Sequence, residues 1–279
     1  MNRTVSLLAA AFALAACSEA PTSQRVLAPP TSQRVVAPEA AAFDKGGDGS
    51  ENAASAASHT YEVTIENMTQ GQPFSPGVIV THTKKASVWE VGARPSPLII
   101  NIAEDGLADP ALTAAQVADL RAQPGVFQVV ETGAPIGRRG PLLAGQPALP
   151  TSRTFTIEAA ANANRLSVAV MIICTNDGFT GLSEVKLPGG FKAESHLVGA
   201  YDAGSEQNTE KFSDIVDPCH EIGPVVAPPD GNNNALPEDG GLIRMHGNIQ
   251  GGADLVAGVG PTKHGWSFPV AKITVQRMK

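Results

Sequence analysis

The sequence predicts a mainly β domain of antiparallel strands with one or two short helices in its connections. The first observation is the run SVAVMIIC, Ser167 to Cys174, which holds no charge and is closed by the turn signal Asn176-Asp177-Gly178. An uncharged run of this length, rich in Val and Ile, reads as a central strand buried on both faces. The second is strict alternation: Tyr61, Val63 and Ile65 interleave with Glu62, Thr64 and Glu66, and Ala271, Ile273 and Val275 repeat the pattern near the C-terminus. Period two marks a strand with one buried face. The third is punctuation: glycines and prolines crowd the stretch from Gly133 to Pro150 beyond what any regular element tolerates.

Residues 1–16 read as an export signal. Asn2 and Arg3 form a short positive region, Val5 to Leu14 an apolar stretch too short to span a bilayer, and Leu14-Ala15-Ala16-Cys17 has the form of a lipobox in which Cys17 is acylated. The competing reading is an ordinary secretory signal with an incidental cysteine. Ser18 after the cysteine favours the outer membrane of a Gram-negative envelope, and three acyl chains exceed the two signals that stable anchoring needs. The expected location is therefore the cell envelope, as an outer-membrane or cell-surface lipoprotein.

Residues 17–58 read as the lipidated cysteine and a flexible tether. PTSQRVLAP, Pro21 to Pro29, is repeated as PTSQRVVAP, Pro30 to Pro38, and the remainder is too poor in large apolar residues to offset its ordering entropy. As a flexible coil of about forty residues it spans on the order of 35 Å. Residues 59–279 then form one domain, large enough for a sizeable single core.

Within that domain, Val78 to His82 and the short piece Val88 to Glu90 read as strands, the latter carrying Trp89. His82 reads as a hydrogen-bonded structural residue rather than a metal ligand. Leu98 to Glu104 has helical spacing, and Thr113-Ala114-Ala115-Gln116 has capping-box form, opening a helix through Val117 and Leu120 that ends at Pro124-Gly125. Both helices are expected to cover a sheet edge. Val126 to Glu131 is a strand, and Arg138 and Arg139 in the following loop offer an anion patch or solvated charge. Thr154 to Glu158 should pair antiparallel with the strand beginning at Leu166. Asp202 to Ile249 is a long polar loop region with a short apolar piece at Leu242 to Met245.

The residues that bear on chemistry are acids. Asp177, Asp202 and Glu206 stand in turn-like settings beside Gly178, Gly181 and Gly204. Carboxylates next to turn carbonyls form the oxygen ligand set of a hard cation such as Ca2+, although Asp and Gly are also the default residues of a solvated turn.

At these residues the sequence resembles the spondin amino-terminal domain, a module of animal matrix proteins and of bacterial secreted proteins. The matching segments are Tyr61 to His82, Ala103-Glu104-Asp105-Gly106, Thr175 to Leu182, Tyr201 to Glu206 and Phe268 to Lys279. The resemblance implies a two-sheet antiparallel β-sandwich similar to C2 domains, and a calcium ion. It carries the ligand roles to Glu158, Asp177, Asp202 and Glu206, with Glu206 standing where the animal domains have Asp. A further acid of the family is replaced here by Ser183.

The net charge is −7, and −8 once Arg3 leaves with the signal. No basic stripe with interleaved aromatics points to nucleic acid. With Cys17 acylated, Cys174 and Cys219 remain as an even pair in an oxidising compartment, bridged or with Cys174 a buried free thiol. No GxSxG, HExxH or phosphate loop occurs, and the six histidines lack triad or ligand spacing. A copper electron carrier fails because no His or Met follows Cys174 at ligand distance. The expectation is a non-catalytic, calcium-binding surface module that meets a protein or glycan partner. The alternatives are a secreted hydrolase using the loop carboxylates and a structural envelope protein without metal.

Overall fold

The computed structural model describes residues 58–227, 236–238 and 240–278. The signal, Cys17, the tandem repeat and the Pro228-Pro229 and Asn232 to Asn234 runs lie outside the described residues. Two antiparallel sheets face each other as a β-sandwich. The elements are β1 (Ser58–Asn67), β2 (Phe74–His82), α1 (Pro97–Asp105), α2 (Pro110–Ala122), β3 (Val126–Glu131), β4 (Ser152–Ala160), β5 (Arg165–Ile172), β6 (Gly178–Lys186), β7 (Glu194–Val198), β8 (Ala200–Asp202), α3 (Pro218–Ile222), β9 (Arg244–Met245) and β10 (Ala271–Arg277). One sheet has the order β4-β1-β10-β7, the other β3-β2-β5-β6-β8-β9.

The predicted central strand is β5, between β2 and β6, and it is buried almost throughout. Its two faces meet different apolar layers. Val168, Val170 and Ile172 join Ile79, Val63, Ile65, Ile157, Ile273 and Val275 between the sheets. Ala169 joins Val78, Val80 and Phe179 against Ile99, Ile102, Val117 and Leu120 of the helices. A strand sandwiched between a second sheet and a helical layer has no face left for polar residues, which is why its sequence does not alternate. β1 and β10 lie side by side, Val63 opposite Val275, with their alternate residues turned to solvent.

Four expectations need correction. β4 pairs with β1, Phe155 opposite Val63, and not with the strand that follows it; the turn after Ala160 carries the chain across to the other sheet. A period-two pattern specifies a buried face, not a partner. Val88 to Glu90 is irregular, and Trp89 is held instead by its indole N–H, which donates to the Val168 carbonyl at 3.1 Å, and by edge contact with Phe179. α2 begins before the capping-box motif: Asp109 caps it by accepting from Ala111 and Leu112, Pro110 takes the first turn, and Thr113 is buried inside. α1 covers the face of the six-stranded sheet along β5 and β6, not an edge.

Arg138 and Arg139 form no anion patch. Arg138 is buried and donates to the carbonyls of Gln70 and Pro261 and to Gln146, while Arg139 pairs with Glu66. His82 is the structural residue expected, bonded to Ser167 Oγ at 2.9 Å and to the Thr83 carbonyl.

Candidate metal centre

Antiparallel register divides the sandwich into two ends. At one, β5 begins beside the close of β6, Arg165 opposite Lys186; at the other, Met171 lies opposite Phe179, and Gly178 opposite Asp202. The candidate acids gather beyond this second end.

The turn from β5 into β6 is built by local hydrogen bonds. Thr175 Oγ1 donates to the Ile172 carbonyl and accepts from Gly178 N–H, closing the bend that turns Asp177 inward. Asn176 and the disulfide then fasten the loop after β8 onto it. Asn176 Nδ2 donates to the Asp214 carbonyl at 2.9 Å, its Oδ1 accepts from Glu210 N–H, and Cys174 is bridged to Cys219 at the start of α3. Gly204, at φ 70°, allows the sharp turn between Asp202 and Glu206; a β-carbon there would meet the Leu242 carbonyl at 2.7 Å.

Asp177 is wholly buried. Its Oδ2 accepts from Ser205 N–H at 2.8 Å and Glu206 N–H at 3.1 Å, but its Oδ1 has no hydrogen-bond partner. Glu206 is buried too, and its Oε2 also lacks one. Asp202 is better served: Oδ1 accepts from Gly204 N–H, and Oδ2 from Asn208 Nδ2 and from Arg244, itself held by Glu238. α1 adds Glu104 and Asp105 from its last turn, with Ser205 hydrogen-bonded to Glu104, and Asp214 lies close enough to act on Glu206.

The electrostatics follow from desolvation among like charges. Burial first, and Asp202 second, push Asp177 up to about 6. Burial, with Glu104 and Asp177 next, pushes Glu206 up to about 9. Glu104 is raised by burial against its bond with Ser205. A nearby acid shows that burial alone does not produce an orphan: Glu210 is equally buried, yet its carboxylate accepts from the N–H groups of Gln250, Gly251 and Gly252.

The structure therefore brings together Asp177, Asp202 and Glu206, and it does not bring Glu158. That residue is exposed on β4, and its carbonyl accepts from Thr81, the register partner of Leu166. It sits at the start of β5 whereas Asp177 follows the end, roughly 20 Å or more away along the strand. Strand pairing is the cause, since β4 lies in the other sheet. Glu104 and Asp105 are the residues that reasoning from local pattern missed. A signal existed: two acids close a helix whose last turn holds no basic residue, at the end where the dipole favours cations.

An all-oxygen set with two orphaned, buried carboxylate oxygens fits a hard cation and not a soft one. The carboxylates do not themselves form a tight cluster: among the described residues, the set of three ligand atoms lying within 4.8 Å of one another is Cys174, Cys219 and His264. There the sulfurs are joined to each other. His264, distant in sequence from both cysteines, is brought beside them by the fold. A cavity of about 200 Å³ adjoins the acidic loops, lined by Arg94, Ile100, Gly204, Ser205 and Glu238, and neither Asp177 nor Glu206 lines it.

No family model matches the chain, and no curated protein matches it.

Proposed function

We propose that the protein is a non-catalytic, calcium-binding module of the cell envelope, anchored by an acylated Cys17, in which the ion orders the loop end of the sandwich for contact with a protein or glycan. The observation that carries the calcium reading is the pair of buried, unpartnered oxygens, Asp177 Oδ1 and Glu206 Oε2, inside a cluster of acids. An unpaired buried carboxylate is costly, and it neutralises by taking up a proton or a cation. Asp177 and Glu206 would hold the ion, with Asp202 and Glu104 completing the acidic surround. Glu158 has no part in it. The motif resemblance to the spondin domain agrees with this reading at three of the four acids it implicates.

Binding is favoured over hydrolysis because neither Asp177 nor Glu206 lines the cavity that adjoins the acidic loops, so a substrate lying there would not meet these carboxyls. Titrating calcium into the full chain carrying Cys17→Ser tests the proposal by calorimetry. Saturable heat with a rise in melting temperature, lost in Asp177→Asn and in Glu206→Gln, is the expected result. No heat at millimolar calcium would overturn it.

A further inference from the structure

The end of the sandwich opposite the acids is organised for a different contact. β1 begins there at Ser58, so the chain arriving from Cys17 enters at this end. The loop between β6 and β7 reaches out beside it. Phe191 at its tip is 63% exposed, and β-carbons added at Gly189 or Gly190 would meet nothing within 4 Å, so the two glycines border open space. The loop is nevertheless held to β10. Arg277 donates to the Gly189 carbonyl at 2.8 Å, Gln276 Nε2 to the Phe191 carbonyl at 3.2 Å, and the Arg277 guanidinium lies 5.5 Å from the Phe191 ring centre.

Basic residues gather at this end of the sandwich. Lys192 adjoins Phe191 in the chain, Lys186 and Arg277 line a cavity of about 180 Å³ at the foot of the loop, and Lys84 and Lys85 follow β2 at the same end, where His82 pairs with Arg165. The acids at this end, Glu62, Glu158, Glu184 and Glu194, are fewer than the six basic residues Lys84, Lys85, Arg165, Lys186, Lys192 and Arg277. The domain elsewhere is acidic.

We infer that this end docks on an anionic phospholipid surface, with Phe191 inserted at headgroup level and the Lys and Arg residues of this end against the phosphates. The proposal goes beyond the calcium reading and holds whether or not Cys17 is acylated. An exposed aromatic gains by leaving water, and each basic residue near an anionic surface adds about five-fold in affinity. Such a contact is weak alone, but an acyl group on Cys17 in the same membrane would raise the effective concentration of the domain to about millimolar, enough to hold it down.

The test is co-sedimentation of the full chain bearing Cys17→Ser with vesicles of phosphatidylcholine alone or mixed equally with phosphatidylglycerol. Binding to the mixed vesicles only, weakened by salt, is expected. Lys192→Glu should weaken it about twenty-five-fold, two charge units at about five-fold each. Phe191→Ala should weaken it without moving the melting temperature, because the ring is exposed. Phe191→Trp should shift to blue emission on adding mixed vesicles, against the constant background of the buried Trp89 and Trp266. Equal binding to neutral vesicles, no binding to either, or indifference to both the Lys192 and Phe191 substitutions would overturn the proposal. So would binding that needs calcium and disappears in Asp177→Asn, which would place the contact at the acidic end.

Discussion

The two ends of the sandwich are joined by the same strands, yet one takes its charges inside and the other leaves them in water. Beyond the end of β5, Asp177, Asp202 and Glu206 are each less than a tenth exposed, and Arg244 pairs with Asp202. At the start of β5, Lys186, Lys192, Lys84 and Lys85 stand exposed. Exposed charges interact through a high dielectric and contribute little to stability, whereas buried ones are felt in full. The acidic end is therefore where stability, pH and ion binding should be coupled, and the basic end is where surface contacts should change without disturbing the fold.

The largest effect should come from what closes the acidic end. Cys174→Ser with Cys219→Ser opens a loop of sequence separation 45, and the chain-entropy argument puts the loss at about 4 kcal/mol. Urea denaturation measures it, and a loss below about 1 kcal/mol would mean the loop is held mainly by Asn176 and its partners. Next is Arg244→Met, which strands the buried carboxylate of Asp202; breaking such a pair costs about 3 kcal/mol. The half-exposed position of Arg244 puts that figure at the upper end.

The third effect has the opposite sign. In chelator, Asp177→Asn removes a buried, like-charged carboxylate and should raise stability by about 1–3 kcal/mol, while in calcium the same change should lower the melting temperature relative to the native chain. A loss of stability in both conditions would show that Asp177 is structural and not a ligand.

The pH dependence sharpens the same contrast. The folded chain keeps protons on Asp177 up to about 6 and on Glu206 up to about 9, whereas their ordinary values are 3.8 and 4.5. In that window the folded state binds more protons than the unfolded one, so stability is lost as the pH rises from about 4 through 9. For Glu206 alone the slope is at most about 1.4 kcal/mol per pH unit. Melting curves in chelator check the sign; a rise in stability from pH 6 to 8 would contradict the buried, protonated state. Calcium uptake at neutral pH should release a proton from Glu206, read as a dependence of the titration heat on the buffer. The smallest effect is Glu158→Gln, within about 0.5 kcal/mol and without influence on calcium, as befits an exposed residue away from the acids.

The sequence alone determined the elements whose reason is local. The uncharged run of β5, the alternation of β1 and β10 and the helix at Pro97–Asp105 were legible, because burial and periodicity act on consecutive residues, whereas Cys174 and Cys219 stood as a bridge or a free thiol until the fold joined them. The sequence also marked Asp177, Asp202 and Glu206 by their glycine-bordered turns. Partnership was decided only by the tertiary structure. Pairing β4 with β1 removed Glu158 from the acids, laying α1 along the face of the six-stranded sheet brought in Glu104 and Asp105, and the crossing of distant loops set His264 beside the disulfide. Alternation says which side of a strand is dry, but strand neighbours are chosen by the packing of both sheets together. For the same reason the orphaned oxygens of Asp177 and Glu206 have no signature along the chain: desolvation is a property of everything that surrounds a carboxylate, and most of what surrounds these two comes from elsewhere in the sequence.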